Sequence, residues 1–176
     1  MNILKKGLFL LVAVLPMSCS SDDEEEKING TIIEEIECGS ELSDFLNEQL
    51  PLVTAGFPPF FYDEENNKVK DVIIINNKED FSRVFPEFDT SLLDIDFSVS
   101  SLVIGHKAYK SGIGNKAPKE LIEQILYQTE NGYAIEIKCS YYIIKADLAV
   151  LSYVNFWGVY PIQDVKDLTA KIKFVK

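Results

Sequence analysis

The stretch ENGYAIEIKCSYYII, residues 130–144, decides the fold class that the sequence predicts. Apolar and polar side chains alternate along it, so that one face is apolar and the opposite face is polar. The apolar face holds Tyr133, Ile135, Ile137, Cys139 and Tyr141, and the polar face holds Glu136, Lys138 and Ser140. A period of two residues is that of a β-strand with one face on the core. Such a strand is typical of an antiparallel sheet.

The residues before this strand predict a hairpin. Asn131-Gly132 is the pair favoured in a two-residue type I′ turn. A hairpin needs an upstream partner strand, and ELIEQILYQT, residues 120–129, stands in the right place. The apolar side chains in the segment 119–129 also fit a helix led by Pro118. We predict a strand because the hairpin requires two arms, and the helix remains the alternative.

Five further segments predict strands because β-branched and aromatic residues dominate them. They are TIIEEIEC (31–38), VIII (72–75), SVSSLVIGHKAY (98–109), VLSYVNFWGVY (150–160) and LTAKIKFV (168–175). Two short helices are predicted, one beginning with Ser40 as N-cap and one capped by Asn77. The sum is an α+β fold, mainly antiparallel β, with about seven strands in a sandwich or partly open barrel and two short helices.

The chain begins with a secretion-like segment. Lys5 and Lys6 precede an apolar run, GLFLLVAVL, at residues 7–15, and nine residues are too few to span a bilayer as a helix. The run ends in LPMSCSSDDEEE, residues 15–26. With Leu15, Ser18 and Cys19 at the lipobox positions, this region resembles a bacterial lipoprotein signal. The resemblance implies that residues 1–18 are removed and that Cys19 carries the acyl chains.

The residues after the cysteine are acidic. Five acids in succession, Asp22 to Glu26, repel one another and predict an extended tether over residues 19–29. CSSDDEEE is similar to the acidic export signal of surface-exposed lipoproteins of Bacteroidota. The resemblance implies an outer-membrane lipoprotein on the cell surface, with the periplasmic face as the alternative. The single globular α+β domain is predicted to occupy residues 30–176.

Charge and residue types restrict the function. The formal net charge of −11 disfavours nucleic acid as a partner, because its phosphates would be repelled. His106 is the only histidine, and no nucleophile motif accompanies it, so no catalytic residue is assigned. With Cys19 assigned to the lipid, only His106, Cys38 and Cys139 remain as candidate ligands, one fewer than a structural zinc site needs, and no metal or cofactor is expected. A hydrolase that uses carboxylates alone remains open, because 28 acids offer many pairs.

Two features remain as candidate site residues. Cys38 and Cys139 could form a disulfide once Cys19 is lipidated, or both could be small buried hydrophobic residues. The loop FPPFFYDEENNK, residues 57–68, presents four aromatic side chains that could anchor a partner or pack over the edge of the core. They are Phe57, Phe60, Phe61 and Tyr62.

The order of three segments gives a second resemblance. VIIINNKEDFSRVF (72–85), DIDFSVSSLVIGHKAYKSGIG (94–114) and NGYAIEIKC (131–139) follow one another in a way that is similar to the PrcB C-terminal-like domains. Those domains are associated with stabilising or complementing a surface protease, which implies a protein partner. The sequence therefore favours a non-enzymatic, lipid-anchored protein that binds or stabilises a partner. The alternatives are a small-ligand or glycan binder and a carboxylate hydrolase.

Overall fold

The structure is a computed structural model that describes residues 28–63, 67–110, 114–145, 151–163, 165 and 168–176. Cys19, the signal segment 1–18 and the tether as far as residue 27 lie outside the described residues. Lipid attachment at Cys19 therefore stays a prediction.

Ten strands and two α-helices make up the described chain. In order they are β1 (Thr31–Ile33), α1 (Ser40–Gln49), β2 (Val53–Thr54), β3 (Tyr62–Asp63), β4 (Lys68–Val69), β5 (Val72–Ile75), α2 (Lys78–Val84), β6 (Ser101–Lys110), β7 (Lys116–Thr129), β8 (Gly132–Ile143), β9 (Leu151–Tyr160) and β10 (Leu168–Val175). The mainly antiparallel α+β prediction is confirmed. The three two-residue strands β2, β3 and β4 are the ones that the sequence did not predict.

The strands form two four-stranded sheets and a small two-stranded one. The outer sheet has the order β1-β7-β8-β10, and the central sheet has the order β2-β9-β6-β5. All pairs are antiparallel except β8 with β10, which run parallel. Neither sheet closes into a barrel.

The central sheet is apolar on both faces, which produces three layers. One face of it packs against the outer sheet through Val103, Val154, Phe156, Leu126, Ile135 and Ile137. The opposite face packs against α1 and α2 through Leu102, Ile104, Leu42, Leu46, Phe81 and Phe85. The alternation of apolar and polar side chains that predicted β8 therefore reflects which of its side chains face the core. Ile135, Ile137 and Cys139 are fully buried between the sheets.

The β7–β8 hairpin is present, but its turn differs from the prediction. Thr129 pairs with Gly132, so Glu130 and Asn131 are the central turn residues rather than Asn131 and Gly132. Neither central residue has a positive φ, whereas Gly132 does, at 128°. A type I′ turn needs positive φ at both central residues, so this is not one. Glycine instead takes the left-handed position directly after the turn.

β7 is a strand over its whole length, as predicted. Its register against β8 shifts between Pro118 and Glu120 and again between Leu121 and Glu123. Each irregularity inserts a residue and reverses the alternation of side chains beyond it. This is why the apolar residues of the segment also matched a helix.

The first helix begins differently from the prediction, and the second as predicted. Ser40 is the first residue of α1, and Gly39 before it is the N-cap residue without a capping side chain. The Gly39 N–H instead donates to the Asp94 carboxylate, a residue far along the chain. At α2 the Asn77 side chain accepts a hydrogen bond of 2.8 Å from the Asp80 N–H, as its sequence position indicated.

The N-terminal segment connects the two sheets. The sequence predicted one strand over residues 31–38, but β1 ends at Ile33, after pairing with residues 126–128 of β7. The chain then crosses to the central sheet, where Ile36 forms a single bridge to Val159 of β9. The two sheets are thus joined at one corner by a short length of backbone.

Candidate functional site

The aromatic loop that the sequence singled out lies mostly inside the protein. Phe61 is fully buried, and Phe57 and Phe60 are partly buried against the core on the helix side of the central sheet. Only Tyr62 is open, with 42% of its surface exposed, and its hydroxyl hydrogen-bonds Asn67. This geometry supports the interpretation that the aromatic loop packs over the edge of the core, and not the one in which it anchors a partner.

His106 lies beneath this loop, where its side chain is packed into the core. It is 1% exposed and is stacked between Phe61, at 4.2 Å between ring centroids, and Tyr153, at 4.9 Å. Its Nε2 is 2.9 Å from the Lys70 carbonyl, which can only accept, so Nε2 carries the proton. Nδ1 has no partner in the described residues. Burial lowers the pKa of His106 by more than the Lys70 hydrogen bond and the charge of Asp71 raise it.

Because the fold lowers the pKa of His106, we expect the protein to lose a measurable part of its stability in mild acid. The folded-state pKa is below the unfolded value of about 6.5, so the unfolded state takes up a proton first as the pH falls. The contribution of His106 to the free energy of unfolding should therefore be fully present above about pH 6.5 and be lost as the pH falls below it, with an upper limit of about 1.4 kcal/mol at pH 5.5. Urea unfolding midpoints at pH 7.5 and pH 5.5 measure this loss.

The control for this prediction is His106→Phe, which keeps a ring in the stack and has no titrating group. Carboxylates contribute their own pH dependence to both proteins, so only the difference between the two profiles counts. An identical slope between pH 7.5 and pH 5.5 in both proteins would contradict the burial of a neutral His106.

The two cysteines of the domain are free thiols. Cys38 is half-buried at the edge of the helix-side core, and Cys139 is fully buried between the two sheets. The candidate disulfide is therefore not formed, and the two residues occupy different hydrophobic clusters. Burial raises the pKa of the Cys139 thiol to about 11, so it stays protonated and unreactive at neutral pH.

The described ranges contain no group of three or more His, Cys, Asp or Glu side chains that could hold a metal ion. None of their helices is both long enough and apolar enough to cross a membrane.

The described residues form a groove at the corner where the two sheets diverge. This corner groove has a volume of about 660 Å³. It is lined by residues 119–124 of β7 and residues 155–157 of β9, with Glu35, Asn47, Leu50 and Leu52 completing it. None of these residues was predicted from the sequence to belong to a site.

Backbone pairing explains why the corner is open. β1 covers β7 only at residues 126–128, and no other strand of the described chain pairs with that edge. On the β9 side, Ile36 bridges Val159, and β2 pairs with residues 153 and 154. Between these two contacts the edges of β7 and β9 face each other across the groove without a strand between them.

A polar cluster crosses the gap at one point. The Gln124 side-chain amide donates to the Trp157 carbonyl at 2.6 Å and to the Glu35 carboxylate at 2.8 Å. Gly158 makes room for this cluster, since a Cβ there would lie 2.8 Å from Gln124 Nε2 and 2.9 Å from Glu35 Oε1. Desolvation by the surrounding protein raises the pKa of Glu35 by more than the Gln124 hydrogen bond lowers it.

The rest of the groove combines apolar and amide groups. Leu121 and Ile122 are 42% and 57% exposed, which is high for such side chains beside a concave surface. Asn155 is 2% exposed, and its Nδ2 donates to the Pro51 carbonyl at 2.7 Å. Trp157 donates from its indole nitrogen to Asn47 of α1 at 3.1 Å, which holds the helix against β9.

Sequence reasoning missed this site for a physical reason. The residues come from four separate segments, and only the crossing of the chain from β1 to β9 brings them together. Leu121 and Ile122 belong to the segment 119–129, whose apolar residues fitted both a strand and a helix. That double fit was the one available signal, and the register shifts produce it.

Comparison of the chain with models of protein families, with curated proteins and with solved structures finds no match. The resemblances to lipoprotein signals and to PrcB C-terminal-like domains thus remain predictions from the sequence. The fold and site define the chain as a three-layer α+β protein with an open groove at a sheet corner.

Proposed function

We propose that this protein is a non-enzymatic, lipid-anchored outer-membrane protein, exposed on the cell surface, whose folded domain binds and stabilises a protein partner. The anchor is the acylated Cys19, and the acidic tether holds the domain away from the membrane. Two or three acyl chains would anchor it stably, whereas one would not. The periplasmic face of the outer membrane is the alternative location.

The observation that carries the binding role is the corner groove. It exposes Leu121 and Ile122 next to an unpaired strand edge. Exposed apolar side chains on a free strand edge are an aggregation hazard unless a partner covers them. A glycan-binding role has less support, because Phe57 and Phe61 contribute to the core.

The anchor is tested by changing its cysteine. Cys19→Ala should abolish labelling with radioactive palmitate and release the protein from the membrane fraction. Cys38→Ala, which removes a different thiol, should leave both unchanged. Protease added to intact cells should degrade the wild-type protein, whereas resistance until the outer membrane is opened would contradict surface exposure.

The binding role is tested by mild-detergent purification of the lipidated protein from its own membranes, followed by mass spectrometry. We expect a protein partner in fixed stoichiometry, lost on Ile122→Asp in the groove. The control is Val99→Asp, because Val99 is 59% exposed and lies outside the groove. A wild-type protein that is always recovered alone, or a complex that survives Ile122→Asp, would contradict partner binding at this surface.

One observation supports the alternative that the protein is a hydrolase. The groove contains Glu35, whose pKa is raised, together with Glu120 and Glu123. Glu123 is paired with Lys138 at 2.6 Å and Glu120 with Lys119 at 3.3 Å, which favours structural roles for both. Turnover of glycoside or ester substrates that disappears in Glu35→Gln would establish the enzyme instead.

A further inference from the structure

We propose that the corner groove binds an extended peptide segment of the partner protein, which pairs with the free edge of β7 and places a basic side chain against Glu35. This inference rests on the proposed function and specifies the chemistry of the partner. Three properties of the groove support it: the unpaired edge of β7, the charge of the groove and the exposed apolar side chains at its rim.

The edge of β7 is suited to the backbone of an extended peptide. Residues 119–125 belong to a strand that is paired with β8 on one side, and no described strand pairs with them on the other. A peptide that adds to such an edge gains main-chain hydrogen bonds along its length. β1 already pairs in this manner with residues 126–128, so an added peptide would continue the same edge.

The charge of the groove favours a cation. Its rim carboxylates Glu120 and Glu123 each have a lysine partner, whereas Glu35 is held by the neutral amide of Gln124. Placing an ammonium or guanidinium group beside this partly desolvated carboxylate would stabilise its charged form. The net charge of −11 would also attract a basic segment over longer distances.

Leu121 and Ile122 provide the apolar contact beside this charge. The register shift between Leu121 and Glu123 brings both side chains to the rim of the groove. Apolar residues of the peptide that flank the basic residue would pack against them. The expected ligand is therefore an extended segment with one lysine or arginine among β-branched or apolar residues.

The test is selection of ten-residue peptides from a random phage-displayed library on the full-length chain in detergent micelles. We expect the selected peptides to contain a lysine or arginine at one position. Their binding, measured by fluorescence anisotropy, should weaken by roughly tenfold or more in Glu35→Gln, the loss of one charge-assisted hydrogen bond. The control Glu37→Gln, an exposed acid outside the groove, should change it less than twofold.

Backbone pairing is tested with N-methylated versions of the best peptide. Methylation at alternate residues removes the N–H groups that face β7 in one of two registers, so one series should lose binding and the other should keep it. Equal binding of both series would overturn the proposal. A library that yields no binder, or binders without a basic residue, would also overturn it.

The outcomes separate this inference from the proposed function. If the natural partner is lost on Ile122→Asp but retained on Glu35→Gln, the partner-binding role stands and the basic peptide is wrong. If sedimentation shows a dimer of the chain that Ile122→Asp dissociates, the occupant is a second copy and the peptide proposal falls.

Discussion

The Gly105→Ala variant is expected to lose about 3 kcal/mol of unfolding free energy, the upper part of the usual range for an overfilled core. Gly105 lies in the middle of β6, opposite Phe156 of β9, and the Phe156 ring covers its Cα. An added Cβ would lie 2.6 Å from two ring carbons and closer still to Cζ. Phe156 is only 2% exposed, so its ring has little room to move away.

The measurement is thermal or urea unfolding, and the melting temperature should fall by roughly 10 °C. Gly56→Ala is the matched control, because a Cβ there has no atom within 4 Å and the loss should stay below about 0.5 kcal/mol. Phe156→Leu combined with Gly105→Ala should recover part of the loss. Equal unfolding midpoints for Gly105→Ala and the wild type would contradict the close packing of β6 on β9.

The Phe61→Ala variant is expected to lose about 3–5 kcal/mol, the usual cost of removing a buried phenylalanine ring. Phe61 is fully buried and contacts His106 and Phe60, with ring centroids 4.2 and 4.9 Å apart. Its removal would leave a cavity beneath the loop and expose one face of the His106 ring. Equilibrium unfolding in urea measures the loss.

The neighbouring residue supplies the control for Phe61. Tyr62→Ala should cost less than about 1 kcal/mol, because Tyr62 is 42% exposed. The pair also separates the two interpretations of the aromatic loop. A contact surface would lose partner binding on Phe61→Ala while keeping its stability, and that result would show that Phe61 is not a core residue.

The central features of the fold were predictable because they depend on local patterns. The alternation of β8 predicted its core face, and Leu42 and Leu46, which α1 buries, stand four residues apart, at the spacing of one helix face. Asn77 was recognisable as a cap because its side-chain oxygen reaches the Asp80 N–H only three residues away. Each of these signals operates within one turn or one strand.

The remaining features depend on contacts between distant residues. The N-cap of α1 is completed by Asp94, and no pattern near Ser40 indicates that residue. β2 has only two residues, too few for any periodicity to be visible. The corner groove exists because β1 leaves β7 after three residue pairs and the chain crosses to β9, a path that the sequence does not encode in any local motif.

The route of the chain from β8 through β9 to β10 determines how quickly the outer sheet can be completed. β8 and β10 are parallel neighbours in that sheet, while β9, between them in sequence, belongs to the central sheet. The β7–β8 hairpin closes through a two-residue turn and can form within about 1–10 μs. β10 can align with β8 only once the intervening strand has been placed, and non-local pairing of this kind takes roughly milliseconds to seconds. The outer sheet therefore combines one of the fastest events in folding, the hairpin, with non-local pairing, which is among the slowest.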